Sequence, residues 1–154
     1  MRYLLLSLLF IISINTLSAE EARILRYPNA SKEHVTFTHA GDIYVAPIAG
    51  GLARRITSSE GREWTPRFSP DGRTIAFSAE YDGNREIYTI PAMGGSPERV
   101  TYSMDIPGAS ERMGPSKLIM QWTSNGQDIL FRSREESWNL MVGNLFLIDK
   151  NGGM

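Results

Sequence analysis

The stretch Trp64–Thr101, WTPRFSPDGRTIAFSAEYDGNREIYTIPAMGGSPERVT, decides the fold. It divides into short runs rich in β-branched and aromatic residues, separated by turn residues, as antiparallel strands are. Ser69-Pro70-Asp71-Gly72 is a turn with a mechanism. Proline presets φ near −65°, aspartate can bond its own backbone, and glycine accepts a positive φ. The runs Thr74–Ala79 (TIAFSA) and Glu86–Pro91 (EIYTIP) read as strands, Gly94-Gly95 as a second turn, and Glu98–Thr101 (ERVT) as a closing strand. The stretch is one complete β unit.

Degraded copies of this unit lie on both sides. Upstream, His34–His39 (HVTFTH) and Asp42–Ala46 (DIYVA) flank the tight turn Ala40-Gly41, which makes them a hairpin. Gly50-Gly51 and the strand Ala53–Thr57 (ARRIT) follow. Phe37 corresponds to Phe77 at a shift of 40, and Asp42-Ile43-Tyr44 to Glu86-Ile87-Tyr88 at a shift of 44. The difference places four extra residues, within EYDGNR, in a surface connection that tolerates insertion. Ala22–Tyr27 (ARILRY) is expected as the first strand of this copy and Pro28–Glu33 as a polar turn. Downstream, Trp122-Thr123-Ser124-Asn125-Gly126 takes the place of Phe68–Gly72 at a shift of 54, and Phe131 falls on Phe77. Asn144–Asp149 and Gly152-Gly153 match Glu86–Pro91 and Gly94-Gly95 at a shift of 58, with no counterpart to ERVT after them.

Units of four short strands repeating every 40–50 residues are typical of propeller blades, which bury both faces only by stacking on neighbours. The expected fold is therefore all-β: two four-stranded propeller blades and most of a third, at about residues 22–57, 63–101 and 118–154. A ring needs about four to eight blades, so three make an incomplete one. The chain is expected to be the N-terminal piece of a longer protein.

The first 19 residues stand apart. Arg2 precedes an apolar run, Leu4–Ile12, broken only by Ser7, and small or polar residues lead to Ala19 ahead of Glu20-Glu21. This is the pattern of a secretory leader, and the run is shorter than the roughly 20 apolar residues of a membrane anchor. Residues 1–19 are read as a signal peptide and 20–154 as the propeller domain. Losing Arg2 leaves 15 basic against 17 acidic residues, a net charge of −2. That balance argues against a nucleic-acid or anionic-membrane partner. The 0 cysteines rule out disulfides and are compatible with the bacterial periplasm.

Candidate chemistry is sparse. Gly50, Gly51, Gly94 and Gly95 are turn glycines, and the chain holds no GxGxxG or P-loop pattern. Phe37, Phe77 and Phe131 read as core between blades, and Tyr44, Tyr88 and Phe146 as a second packing set. Arg54, Arg55 and Arg99 fall on outermost strands, where charge discourages edge-to-edge association. The two histidines, His34 and His39, are five apart, so a regular strand points them to opposite faces with no metal-ligand set around either. Glu80 and Asp82 are expected in a solvated hairpin loop. Asn29-Ala30-Ser31 fits a glycosylation sequon that would matter only in a eukaryotic route. No GxSxG elbow or HExxH is present. No catalytic residue, cofactor site or metal site is expected; the repeat-motif residues are structural.

Phe68–Thr101 resembles the WD40-like repeats shared by the TolB protein and the tricorn proteases. Glu111–Trp138, ERMGPSKLIMQWTSNGQDILFRSREESW, is similar to the third blade of bacterial tricorn-type serine peptidases, and the opening ILRYPN at Ile24–Asn29 suits that family. The resemblance covers about Ala22–Met154. It implies a full-length protein with two propellers, a PDZ-like domain and a catalytic domain whose serine and histidine lie outside this sequence. It further implies a role for this segment in filtering or guiding peptides or unfolded polypeptide, docking against the remainder of its own chain, and homo-oligomerisation of the whole protein. The alternative is a TolB-like periplasmic propeller that recruits proteins without catalysis.

Overall fold

The computed structural model describes residues 24–103, 117–134 and 143–153. Residues 1–19, read above as a leader, lie outside the described residues, as do residues 111–116 and 135–138 of the segment similar to the third blade. Within them the chain forms eleven strands in three antiparallel sheets. The first sheet holds β1 (Arg26–Ala30), β2 (His34–His39), β3 (Asp42–Pro47) and β4 (Arg54–Arg55) in sequential order. The second repeats it with β5 (Glu63–Phe68), β6 (Thr74–Asp82), β7 (Asn84–Pro91) and β8 (Glu98–Arg99). The third has β9 (Lys117–Trp122), β10 (Asp128–Ser133) and β11 (Asn144–Asp149). The first strands converge, β1 beside β5 and β5 beside β9, as the innermost strands of successive propeller blades do.

Two expectations need correction. The first strand is Arg26–Ala30 rather than ARILRY, and it runs through Pro28 into the segment expected as a turn. Its pairing to β2 slips between Arg26 and Asn29, and the second sheet slips at the matching place, between Trp64 and Arg67. A bulge tolerates a proline because the extra residue is unpaired, and it also breaks the alternation by which a strand is read. Tyr27 and Thr65, each just before a proline, take positive φ values of 53° and 48° there. Second, Glu80 and Asp82 lie in strand β6, not in a loop. The four inserted residues lengthen the hairpin, which turns at Gly83 with φ 93°.

Side chains alternate across each sheet and so build two cores. Ile43, Val45 and Ile56 of the first unit pack on Ile75, Phe77, Tyr88 and Ile90 of the second. The opposite face of the second sheet, through Ala76, Ile87 and Val100, packs on Ile119, Trp122, Ile129 and Phe131 of the third. Hydrogen bonds tie the inner strands together across the same boundaries. The Phe68 amide donates to Asn29 Oδ1 at 2.8 Å, Arg67 Nε to the Met120 carbonyl at 3.1 Å, and Trp122 Nε1 to the Arg67 carbonyl at 3.0 Å.

Candidate functional site at the blade joints

The repeat-motif residues are spread over the three sheets rather than gathered at one point. Phe37, Phe77 and Phe131 each stack on the aromatic directly opposite in the next strand: Tyr44, Tyr88 and Phe146, with centroids 5.8, 5.9 and 5.5 Å apart. The two aromatic sets are thus one cross-strand pair repeated three times. Phe77 and Phe131 lie between sheets, whereas Phe37 is buried on the face of the first sheet turned away from the second. Ser69-Pro70-Asp71-Gly72 turns with Gly72 at φ 72°, and Ser69 Oγ donates to Asp71 Oδ1 at 2.6 Å. That hydroxyl and the Arg73 amide hold the Asp71 carboxyl below the usual carboxylate range. Thr123 and Asn125 reproduce the turn in the third sheet, with a 2.6 Å hydroxyl-to-amide-oxygen bond. Gly50, Gly51, Gly94 and Gly95 all have positive φ in the turns that follow β3 and β7.

The histidines stay apart. His34 is capped through its amide by Ser31 Oγ at 3.0 Å, and His39 Nδ1 lies 3.3 Å from the Ile24 carbonyl. Among the described residues no group of three or more His, Cys, Asp or Glu could hold a metal ion. Arg54 reaches across to the second unit, donating to the Met93 carbonyl at 2.7 Å, while Arg55 pairs with Asp42 at 3.3 Å.

Sequence reasoning missed the polar groups at the joints, where the outermost strand of one unit hands over to the innermost strand of the next. In the first joint Thr57, just past β4, accepts the Ile43 amide on its hydroxyl at 2.8 Å and donates to Glu63 Oε2. Tyr81 donates to Glu63 Oε1 at 2.5 Å. In the second joint Thr101 accepts the Ile87 amide at 2.9 Å and donates to Glu86 Oε2. Lys117 Nζ pairs with that same oxygen at 2.8 Å, and Arg99 stands 3.4 Å from the other. The clue was available: Thr57 and Thr101 end the matched runs RIT and RVT, and Glu63 and Lys117 begin matched inner strands.

Electrostatics separates the two joints. Burial pushes the Glu63 carboxyl up, Asp42 adds to this, and the hydroxyls of Thr57 and Tyr81 oppose it, leaving it at about 6. Burial acts on Glu86 too, but bonds from Lys117, Ser103 and Thr101 outweigh it and hold that carboxyl below its ordinary value. Burial and the neighbouring Glu63 raise the Tyr81 phenol, so it stays a donor. A cleft of about 470 Å³ opens beside the first joint, lined by Arg26, Thr38, Gly41, Arg62, Glu63 and Trp64, among others. Glu63 itself is 1% exposed, so the cleft offers a nucleophile or general base no open carboxylate.

Three stacked antiparallel sheets with converging inner strands define a β-propeller. The model of the tricorn protease N-terminal β-propeller domain matches residues 22–154, and the chain belongs to that family. It is 37% identical over 109 residues to tricorn protease homolog 1 of Streptomyces coelicolor, an alignment covering 71% of this chain and 10% of that protein. A 54-residue stretch, 34% of the chain and 12% of the relative, is 43% identical to the Tol-Pal system protein TolB of Bordetella pertussis. Among solved structures, the tricorn protease superposes with a TM-score of 0.67 at 20% identity, over 83% of this chain and 12% of that one. TolB from Acinetobacter baumannii gives 0.63 at 22%, over 84% and 31%. The chain thus spans about a tenth of the length of the first of these relatives.

Proposed function

We propose that this chain is a propeller segment of a secreted tricorn-like serine peptidase, which guides or filters peptides toward a catalytic domain encoded elsewhere in the protein. The observation that carries the reading is the family match over residues 22–154 together with the tenth of the tricorn protease homolog that the chain spans. In this reading residues 1–19 are a cleaved leader, the blades occupy residues 22–57, 63–101 and 118–154, and the protein works in the periplasm. The propeller docks against the remainder of its own chain, and the whole protein assembles as a homo-oligomer.

The likeness to TolB supports a second reading, a non-catalytic propeller that recruits proteins. Two measurements separate them. The chain by itself is expected to hydrolyse no short fluorogenic peptide, and the full reading frame to yield a serine-directed, fluorophosphonate-reactive peptidase. Peptide hydrolysis by residues 20–154 would overturn the assignment of the chemistry to another domain. A full-length product that is unreactive to the probe would favour the recruiting propeller.

A further inference from the structure

The two joints occupy equivalent places in the repeat yet differ in charge. Glu86 corresponds to Asp42 at a shift of 44, and Lys117 to Glu63 at a shift of 54. The second joint therefore brings a carboxylate and an ammonium together at 2.8 Å, where the first brings two carboxyl groups. Arg55 serves Asp42 at 3.3 Å, and no cation among the described residues lies within 4.0 Å of the Glu63 carboxyl. We propose that the joint between the first and second sheets is a proton-responsive contact: a neutral Glu63 carboxyl holds it closed, and ionisation loosens it while the Lys117–Glu86 joint stays shut.

The groups around Glu63 set the response. From β3 comes Asp42, which disfavours a second negative charge. From β6 comes the Tyr81 hydroxyl, and from the segment after β4 the Thr57 hydroxyl, which partly solvate the anion. Arg26 and Tyr27 of β1 and Arg62 line the adjoining cleft, and Arg85 of β7 lies over the Trp64 ring at 3.5 Å. A buried ion without a counter-ion is costly, so the group keeps its proton longer in the packed state than in the unfolded chain. Its carboxyl is pushed up to about 6 from 4.5. The folded-state value is the higher one, so the contribution is fully present below about 4.5 and is lost as pH rises through about 6.

Amide hydrogen exchange on the full chain tests this. The first joint reports through the Ile43 amide, bonded to Thr57, and the Glu63 amide, bonded to the Gly41 carbonyl at 3.0 Å. The second reports through the Ile87 amide on Thr101. After correction for the intrinsic pH dependence of exchange, protection at Ile43 and Glu63 is expected to fall about tenfold between pH 4.5 and pH 7, as a carboxyl raised from 4.5 to about 6 implies. Protection at Ile87 is expected to stay level. Glu63→Gln should abolish the fall. Should that variant not fold, Asp42→Asn, which removes the like charge, should move the fall to lower pH. Parallel behaviour of Ile43 and Ile87 in the wild type, or a fall that survives in Glu63→Gln, would overturn the proposal.

Discussion

At the scale of single residues, the difference between Glu63 and Lys117 is a difference in what each buried position does to stability. Lys117 completes an ion pair whose partner is held ionised, so removing either member strands the other in the core. Glu63 has hydroxyl donors but, among the described residues, no cation within 4.0 Å, so its charge is a cost rather than a need. Replacing it with the neutral isostere Gln should raise unfolding free energy at pH 8 by up to about 2 kcal/mol, the linkage value of a carboxyl raised from 4.5 to about 6. The gain should vanish below pH 4.5, where the wild-type group is protonated in both states. Urea unfolding of both proteins between pH 4 and pH 8 checks this. A difference that does not change with pH would show that packing, not ionisation, governs the site.

Among the elements, the handover segment between β4 and β5 is held by a close approach that composition does not advertise. A Cβ built on Gly61 would lie 2.1 Å from the Glu80 carbonyl oxygen, a backbone atom of β6 that cannot swing aside. The Glu80 amide meanwhile bonds the Arg62 carbonyl at 3.1 Å. Gly61→Ala should therefore push the handover segment off β6 at a cost of about 1–3 kcal/mol. Thermal unfolding measures it, and an unchanged midpoint would show that β6 yields easily. The same segment shows what was legible in the sequence. The turns and hairpin strands were, because Ser69–Gly72, Gly50-Gly51 and Gly94-Gly95 punctuate runs of local alternation. The first strand was not, because the bulge at Tyr27-Pro28 breaks alternation where the residues look like a turn. Glu80 and Asp82 were misplaced because an insertion that lengthens both strands of a hairpin has the same composition as one that lengthens its loop. The joint residues Glu63, Glu86 and Lys117 were hidden for a different reason. Each is a charged residue that ordinary patterning assigns to solvent, and only the third dimension shows it buried.

For the whole molecule, the repeat makes the two ends of the stack predictable surfaces. The face of a sheet that carries Ile87 and Thr89 in the second unit is covered by the third, leaving those residues 0% and 8% exposed. The equivalent positions of the third unit are Leu145 and Leu147, which are 63% and 62% exposed on β11. That strand pairs only with β10 among the described residues, so an apolar face and a row of unpaired backbone groups coincide on one element. Such an edge recruits other chains unless it is covered. The isolated chain is therefore expected to self-associate at micromolar concentration, seen as a mass above that of the monomer in light scattering. Substituting Leu145→Lys together with Leu147→Glu should reduce the association while leaving the cores at the two joints, and hence the unfolding midpoint, nearly unchanged. Both positions point away from those cores, so charge there meets water instead of neighbouring side chains. A wild-type chain that is a monodisperse monomer with cooperative unfolding would mean that the open face is self-sufficient, and that three blades need no neighbour to be stable.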